Sequence, residues 1–200
     1  MESKPRTILF FGPQGAGKGT QKEEISAWLE QSTDVPVQQI ELGDFFRRMM
    51  KTDGHTQTLV KEIQNTGKLQ PDFLAIYAVV EKMIASFTGG EHLMLDGFPR
   101  NELQIFMFQQ IVDFYGLEVD VVVIDLSEEE SVARLMKRGR EDDTSEAIAE
   151  RLRLYHAETR PLLEHFESGT QYRVHHIHGE QTIKEVTESI IAALTTQNND

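Results

Sequence analysis

Apolar residues along this chain collect in five short runs, separated by longer stretches of helical patterning. The runs are Thr7 to Gly12, Val37 to Leu42, Glu91 to Asp96, Val119 to Leu126 and Tyr172 to His178. A block such as Val121-Val122-Val123-Ile124 shows no polar alternation, so the strand it forms must be covered on both faces, as in a parallel sheet between two helical layers. Strands alternating with helices predict an α/β three-layer fold with a five-stranded parallel sheet and right-handed crossovers. Ligands should then gather at the carboxyl ends of the strands, where Gly12, Gly43, Asp96 and Ser127 fall.

One connection is too long for a simple crossover. From Gly43 to Thr88 the pattern stays helical, broken at Thr52-Asp53-Gly54 and Thr66-Gly67. This predicts a small helical subdomain over 43–88. A short charged excursion follows at 137–144, with Gly139 as a hinge. Further on, one helix is predicted over Ser145 to Phe166, burying Ile148, Leu152, Tyr155, Leu162 and Leu163 as a stripe. The tail from Leu194 to Asp200 reads as frayed. With no internal repeat and no linker, 1–200 reads as one domain.

Composition narrows the functional classes. At 39% hydrophobic residues in 200, the chain can fill one core. No apolar run approaches the roughly 20 residues of a bilayer span, and Met1 to Arg6 leads into a strand without a secretory segment. The expectation is a cytoplasmic protein with no membrane partner. The absence of Cys removes disulfides, thiolate nucleophiles and Cys-based zinc sites. A net charge of −13 argues against nucleic acid as a partner. No stretch reads as a large apolar face, which favours a monomer. His176 and His178 share one face of the last strand beside His175, but no acidic partner follows at ligand spacing, so no metal site is expected there.

Positive charge is local instead. Lys18, Arg47, Arg100, Arg134, Arg138, Arg140 and Arg151 stand beside glycines or at segment ends rather than along a basic face. Lys18 lies in Gly12-Pro13-Gln14-Gly15-Ala16-Gly17-Lys18-Gly19-Thr20, directly after Ile8-Leu9-Phe10-Phe11. A glycine-rich turn between a strand and a helix lets backbone N–H groups close around phosphate oxygens where the helix dipole also favours negative charge. Gly15, Ala16, Gly17, Lys18, Gly19 and Thr20 are therefore expected to hold a nucleoside triphosphate. Gly19 stands where such loops usually carry Ser or Thr on Mg²⁺, so the metal should rest mainly on phosphates, waters and nearby carboxylates. Asp96, closing the third strand, is placed either for that task or as a turn residue.

Read through Gln21, the loop resembles that of the nucleoside monophosphate kinases, G-x-P-G-x-G-K-G-T-Q, apart from Pro13-Gln14 in place of x-Pro. Asp96-Gly97-Phe98-Pro99-Arg100 resembles their D-G-F-P-R. The resemblance implies that Asp96 serves hydrated Mg²⁺, that Gly97 and Arg100 meet nucleotide phosphates, and that Phe98-Pro99 is a candidate cis bond. Gly43-Asp44-Phe45-Phe46-Arg47 is similar to G-D-x-x-R, which places Gly43 and Arg47 at the monophosphate. Gln104 matches the glutamine that pairs with adenine in adenylate kinases, where UMP/CMP kinases tend to have Asn. The stretch Arg134 to Asp143 resembles the lid, very short here at 137–144. Arg134 would stack on the ATP adenine, Arg138 and Arg140 would close over the transferring group, and Arg151 matches a further phosphate ligand.

The likeness runs from Thr7 to about Leu194 and implies a P-loop NTPase fold, with 43–88 as the monophosphate-binding insertion. It implies an adenylate kinase of the short-lid type, moving a phosphoryl group reversibly from MgATP to AMP to give two ADP. Lys18, Arg100, Arg138, Arg140 and Arg151 would be its catalytic residues. The alternative is a UMP/CMP-type kinase, and from another class a nucleotide-sensing module without catalysis. Two departures bear on base choice: Leu42, where adenylate kinases usually have Thr, and Gln70, in place of a common Val.

Overall fold

A computed structural model describes residues 4–140 and 142–196. In chain order the elements are β1 (Thr7–Phe11), α1 (Lys18–Ser32), β2 (Val37–Glu41), α2 (Leu42–Met49), α3 (His55–Asn65), α4 (Asp72–Ser86), β3 (His92–Asp96), α5 (Glu102–Tyr115), β4 (Val119–Asp125), α6 (Glu128–Arg138), α7 (Ser145–Leu154), α8 (Leu163–Ser168), β5 (Tyr172–His178) and α9 (Ile183–Thr196). The five strands form one sheet in the order β2-β3-β1-β4-β5, and every pairing is parallel. The chain lays β2 and β3 on one side of β1 and β4 and β5 on the other. That reversal of direction opens a crevice at the carboxyl ends of the strands.

Each face of the sheet carries its own core. Leu9, Phe11, Leu93, Leu95, Val121 and Val123 pack with residues of α2, α4, α5 and α8, while Ile8, Phe10, Met94, Val122 and Ile124 pack with α1 and α9. Val119 and Val121 to Ile124 are fully buried, which is why β4 shows no alternation. Removing each such side chain from water contributes about 1.5–3 kcal/mol.

The long helical connection comprises α2, α3 and α4, and its Leu42, Phe46, Val60, Leu74, Val79 and Met83 belong to the same core as the sheet. Gly67, at φ +76°, brings it against α7, where a Cβ would stand 2.3 Å from the Ala147 carbonyl oxygen. Leu42 opens α2 rather than closing β2.

Three expectations need correction. The helix over 145–166 is not continuous: α7 widens into a π turn at Tyr155–Thr159, passes through a 3₁₀ turn at Arg160–Leu162 and resumes as α8. Pro161 has no N–H to donate, so it cannot sit inside a regular helix. The tail is ordered further than expected, since α9 runs to Thr196 with Leu194 buried, whereas 197–200 lie outside the described residues. The absence of an apolar face, on which the monomer rested, also fails. Phe73, Tyr77 and Ile84 line one exposed face of α4, and Leu103, Phe106 and Phe114 are exposed on α5. α4 is apolar nearly all round, and on α5 the apolar residues spread well beyond the buried side, so periodicity could not separate the buried side from the open one. Among the described residues no helix is long and apolar enough to cross a membrane.

The histidines acquire acidic partners from the neighbouring strand. His175 Nε2 lies 3.0 Å from Asp120 Oδ1, and His176 Nδ1 lies 3.0 Å from Asp125 Oδ2. Arg173 Nε also donates to Asp120, at 2.9 Å. Burial alone would raise the Asp120 carboxyl, but His175 and Arg173 outweigh it and hold the pKa below the usual range. A depressed carboxyl contributes stability that is present above the ordinary carboxylate range and is lost as pH falls through the folded value. Asp120→Asn is therefore expected to cost about 3 kcal/mol in urea unfolding at neutral pH. The deficit should shrink in acid, and an unchanged midpoint at neutral pH would contradict this role.

Candidate active site

The loop after β1 takes the conformations that only glycine tolerates. Gly12, Gly15 and Gly17 have φ of +135°, +86° and +89°. A Cβ at Gly12 would meet the Ile124 carbonyl oxygen at 2.5 Å and one at Gly15 the Ser131 carbonyl oxygen at 2.9 Å, whereas Gly17 has open space. The first two glycines seat the loop on β4 and α6, and the third faces the crevice. Ser131 Oγ ties the loop to α6 by donating to the Gln14 carbonyl. Lys18 Nζ folds back to donate to the Gly12 and Pro13 carbonyls at 2.8 and 2.7 Å. Burial pushes the Lys18 ammonium down to about 8; Asp96 offsets part of that, and Arg100 and Arg138 add to it.

Above this loop opens a cleft of about 740 Å³. Gly15, Ala16, Gly17, Lys18, Gly19, Thr20, Gly43, Arg47, Asp96, Gly97, Arg100, Arg134, Arg138, Arg140 and Arg151 all line it. Its wall holds seven cationic side chains against the carboxylates of Glu23, Glu41, Asp96 and Asp142, in a protein whose net charge is −13. Such an inversion of local charge draws polyanions into a concave site.

The arginines are held by neighbours. Arg100 Nε donates to the Gly97 carbonyl at 2.8 Å, the Arg100 N–H donates to Gln104 Oε1 at 2.9 Å, and its carbonyl accepts from Thr159 Oγ1 at 2.8 Å. The Phe98-Pro99 bond is cis. Burial lowers the Arg100 pKa, Asp96 works against that, and Arg151 reinforces it. Arg138 binds Asp143 in a fork at 2.9 and 2.8 Å, and Arg151 reaches Asp143 at 2.7 Å and Asp142 at 2.5 Å. Burial would raise both carboxyls, yet Gln64 and Arg151 at Asp142, and Arg138 and Arg151 at Asp143, keep them below the usual range. Gln64 Nε2 donates to Asp142 Oδ2 at 2.8 Å and so links α3 to the stretch between α6 and α7. Burial, then Arg138 and Arg47, lower the Arg140 pKa, and Asp143 and Asp142 offset part of that. Arg47 rests on Glu41 at 2.8 Å, Glu41 also takes Lys22 at 2.6 Å, and Arg134 spans Glu130 and the Gly179 carbonyl.

Gln104 lines a smaller adjoining pocket with Leu42, Gly43, Phe46, Gln70 and Arg100. Its Nε2 donates to Asp72 Oδ1 at 2.7 Å while its Oε1 accepts from Arg100, leaving one N–H and one lone pair for a ligand.

Asp96 fits a hydrated divalent ion. Its carboxylate faces the cleft without a hydrogen bond among the described residues, and carboxylate oxygens suit the water shell of Mg²⁺. No three His, Asp or Glu side chains converge as a ligand set among the described residues, so phosphate and water oxygens would have to complete the shell.

Several supporting residues were not read from the sequence. Asp142 and Asp143 follow the lid arginines directly, a signal of charge pairing to which no role was given. Glu41 ends a strand beside Gly43-Asp44 and gave a weaker signal. Asp72 and Thr159 act through folding that brings distant segments together, and nothing local marks them.

A family model described as adenylate kinase matches residues 10–171. The chain is 35% identical over 188 residues to an adenylate kinase of Synechococcus sp., covering 94% of this chain and 97% of that one. It is 32% identical over 188 residues to adenylate kinase 1 of Nostoc sp., with the same coverage. To an adenylate kinase of Phocaeicola vulgatus it is 34% identical over 192 residues, again covering 94% and 97%.

Proposed function

This chain belongs to the adenylate kinase family, and we propose that its cleft aligns MgATP and AMP end to end and passes a phosphoryl group between them to give two ADP. The observation that carries this reading is the gathering of seven cations over a phosphate-binding loop in an otherwise acidic protein. Phosphoryl transfer asks little covalent work of the protein, so catalysis is in-line alignment plus stabilisation of charge on the moving oxygens. No general base is required.

Gly15 to Thr20 hold the β- and γ-phosphates, with Lys18 as the full charge among backbone donors. Arg134 lies against the ATP base. Arg47, beside Gly43, takes the phosphate of AMP. Arg100, Arg138, Arg140 and Arg151 surround the group in transit, and Asp142 and Asp143 hold two of those guanidinium forks in place before substrate arrives. Asp96 would hold Mg²⁺ through water, and the ion would supply positive charge that offsets the negative charge of the phosphates. Gln64 links the 43–88 insertion to the short lid through Asp142, and Gly67 seats the insertion against Ala147 of α7, so both parts stand where closure over the nucleotides would exclude water.

The Lys18 pKa carries a pH prediction. In the free protein its charge is lost as pH rises through about 8. The kcat/KM for ATP is expected to fall by up to about tenfold per pH unit above that point, because this ratio reports the free enzyme. With both nucleotides saturating, bound phosphates keep the ammonium charged and kcat stays level. A level kcat/KM up to about pH 10 would contradict the assignment.

An acceptor panel of AMP, CMP, UMP and GMP at saturating MgATP tests the whole reading. AMP is expected to give the highest kcat/KM. UMP or CMP in first place would move the chain to the pyrimidine side of its relatives, and no turnover with any acceptor would leave only a binding role.

A further inference from the structure

We propose that the outward sides of α4 and α5 form the face on which two copies of this chain pair. The two helices lie side by side over one face of the sheet. Where they begin, Asp72 accepts from Asn101 and Gln104 at 2.8 and 2.7 Å, and where they end, the Phe87 ring stands 5.3 Å from that of Tyr115. Their inner sides share the core of the sheet. Their outer sides are apolar as well: Phe73, Tyr77 and Ile84 recur at helical spacing on α4 and are 69%, 56% and 75% exposed, and Leu103, Phe106 and Phe114 on α5 are 52%, 62% and 81% exposed. Taking about 200 Å² for a whole aromatic residue and somewhat less for Ile or Leu, these six leave roughly 750 Å² open to water. A lone soluble chain seldom exposes so large an apolar patch.

Area and charge together select the occupant. A stable pair of proteins covers about 800 Å² on each partner, which this face supplies almost in full. Its charge is close to nil, since Glu81 and Lys82 cancel between Phe73 and Ile84, and Asp113 is the one charged residue between Leu103 and Phe114, in a chain of net charge −13. Two identical acidic molecules repel wherever their carboxylates meet, so an uncharged face is where they can touch. A basic partner would be drawn to the acidic remainder of the surface instead. An anionic bilayer calls for several Lys and Arg around the apolar residues, and these two helix segments offer Lys82 alone. A two-fold axis would set the helix pair of one copy against that of its partner, so that the same side chains serve both sides and ridges of one pair fill grooves of the other.

Sedimentation equilibrium on the wild type, Tyr77→Glu and Phe106→Glu tests this. The wild type is expected at twice the 22.8 kDa of one chain, with a dissociation constant of about 1 µM or tighter. Raising NaCl from about 0.05 to about 0.5 M should tighten the pair, because salt screens the repulsion between two acidic copies and leaves apolar contact in place. Each variant sets an unpaired carboxylate into the interface and should weaken the pair by about 100-fold. Its circular dichroism spectrum should not change, since both positions face water in the single chain. Should either variant fail to fold, Phe73→Ser and Ile84→Ser trim the same face without adding charge and are expected to weaken the pair by about tenfold. A wild type that stays at 22.8 kDa up to about 100 µM overturns the proposal, as does a dimer that the folded variants leave intact. Monomeric wild type that sediments with vesicles of phosphatidylcholine and phosphatidylserine overturns it too, and gives the face to a bilayer.

Discussion

Lys18→Met is expected to lower kcat by about 10³-fold while leaving the protein at least as stable as the wild type. The two effects have one cause. Lys18 is a cation folded back onto a partly buried turn, where it caps the Gly12 and Pro13 carbonyls and desolvation drives its pKa down to about 8. A lysine whose folded pKa is depressed favours the unfolded state while it is protonated, so an apolar side chain of similar length removes a burden on folding. What it cannot supply is charge at the phosphates in the transition state, where a fixed cation in a site that excludes water counts most. Turnover from coupled ADP release and a thermal melt on the same sample check both halves. A variant that loses stability together with activity would recast Lys18 as a structural residue.

Arg100→Ala should cost about 100-fold in turnover, or about 3 kcal/mol of transition-state stabilisation, with an unchanged circular dichroism spectrum. The bonds that fix the turn around Arg100 run through its backbone: its N–H to Gln104 and its carbonyl from Thr159. Alanine keeps both. It removes the side chain beyond Cβ, and with it the guanidinium and its Nε bond to the Gly97 carbonyl. Near-native turnover would refute its place at the transferring group.

These expectations draw on parts of the molecule that were legible in the sequence to different degrees. The parallel sheet could be read because β4 has no polar position between Val121 and Ile124, and only double coverage permits that. The phosphate loop could be read because three glycines at positive φ leave a fixed spacing in the chain. What stayed hidden depends on partners distant in sequence. Asp72 reaches Gln104 across 32 positions, Thr159 reaches Arg100 across 59, and Asp120 meets His175 across 55. The break at Tyr155–Leu162 was missed because its apolar residues keep a helical spacing through the π and 3₁₀ turns, and Pro161 alone signalled it. The exposed apolar residues of α4 and α5 were hidden for the opposite reason, since apolar residues that spread beyond the buried side blur the period.

The central claim, that one cleft holds two nucleotides joined through their phosphates, is tested most directly by titrating the protein with a dinucleoside pentaphosphate of adenosine. The account predicts one molecule bound per chain, displacing ATP and AMP competitively in the same titration. Two molecules bound per chain, or displacement of one nucleotide with the other still in place, would contradict it.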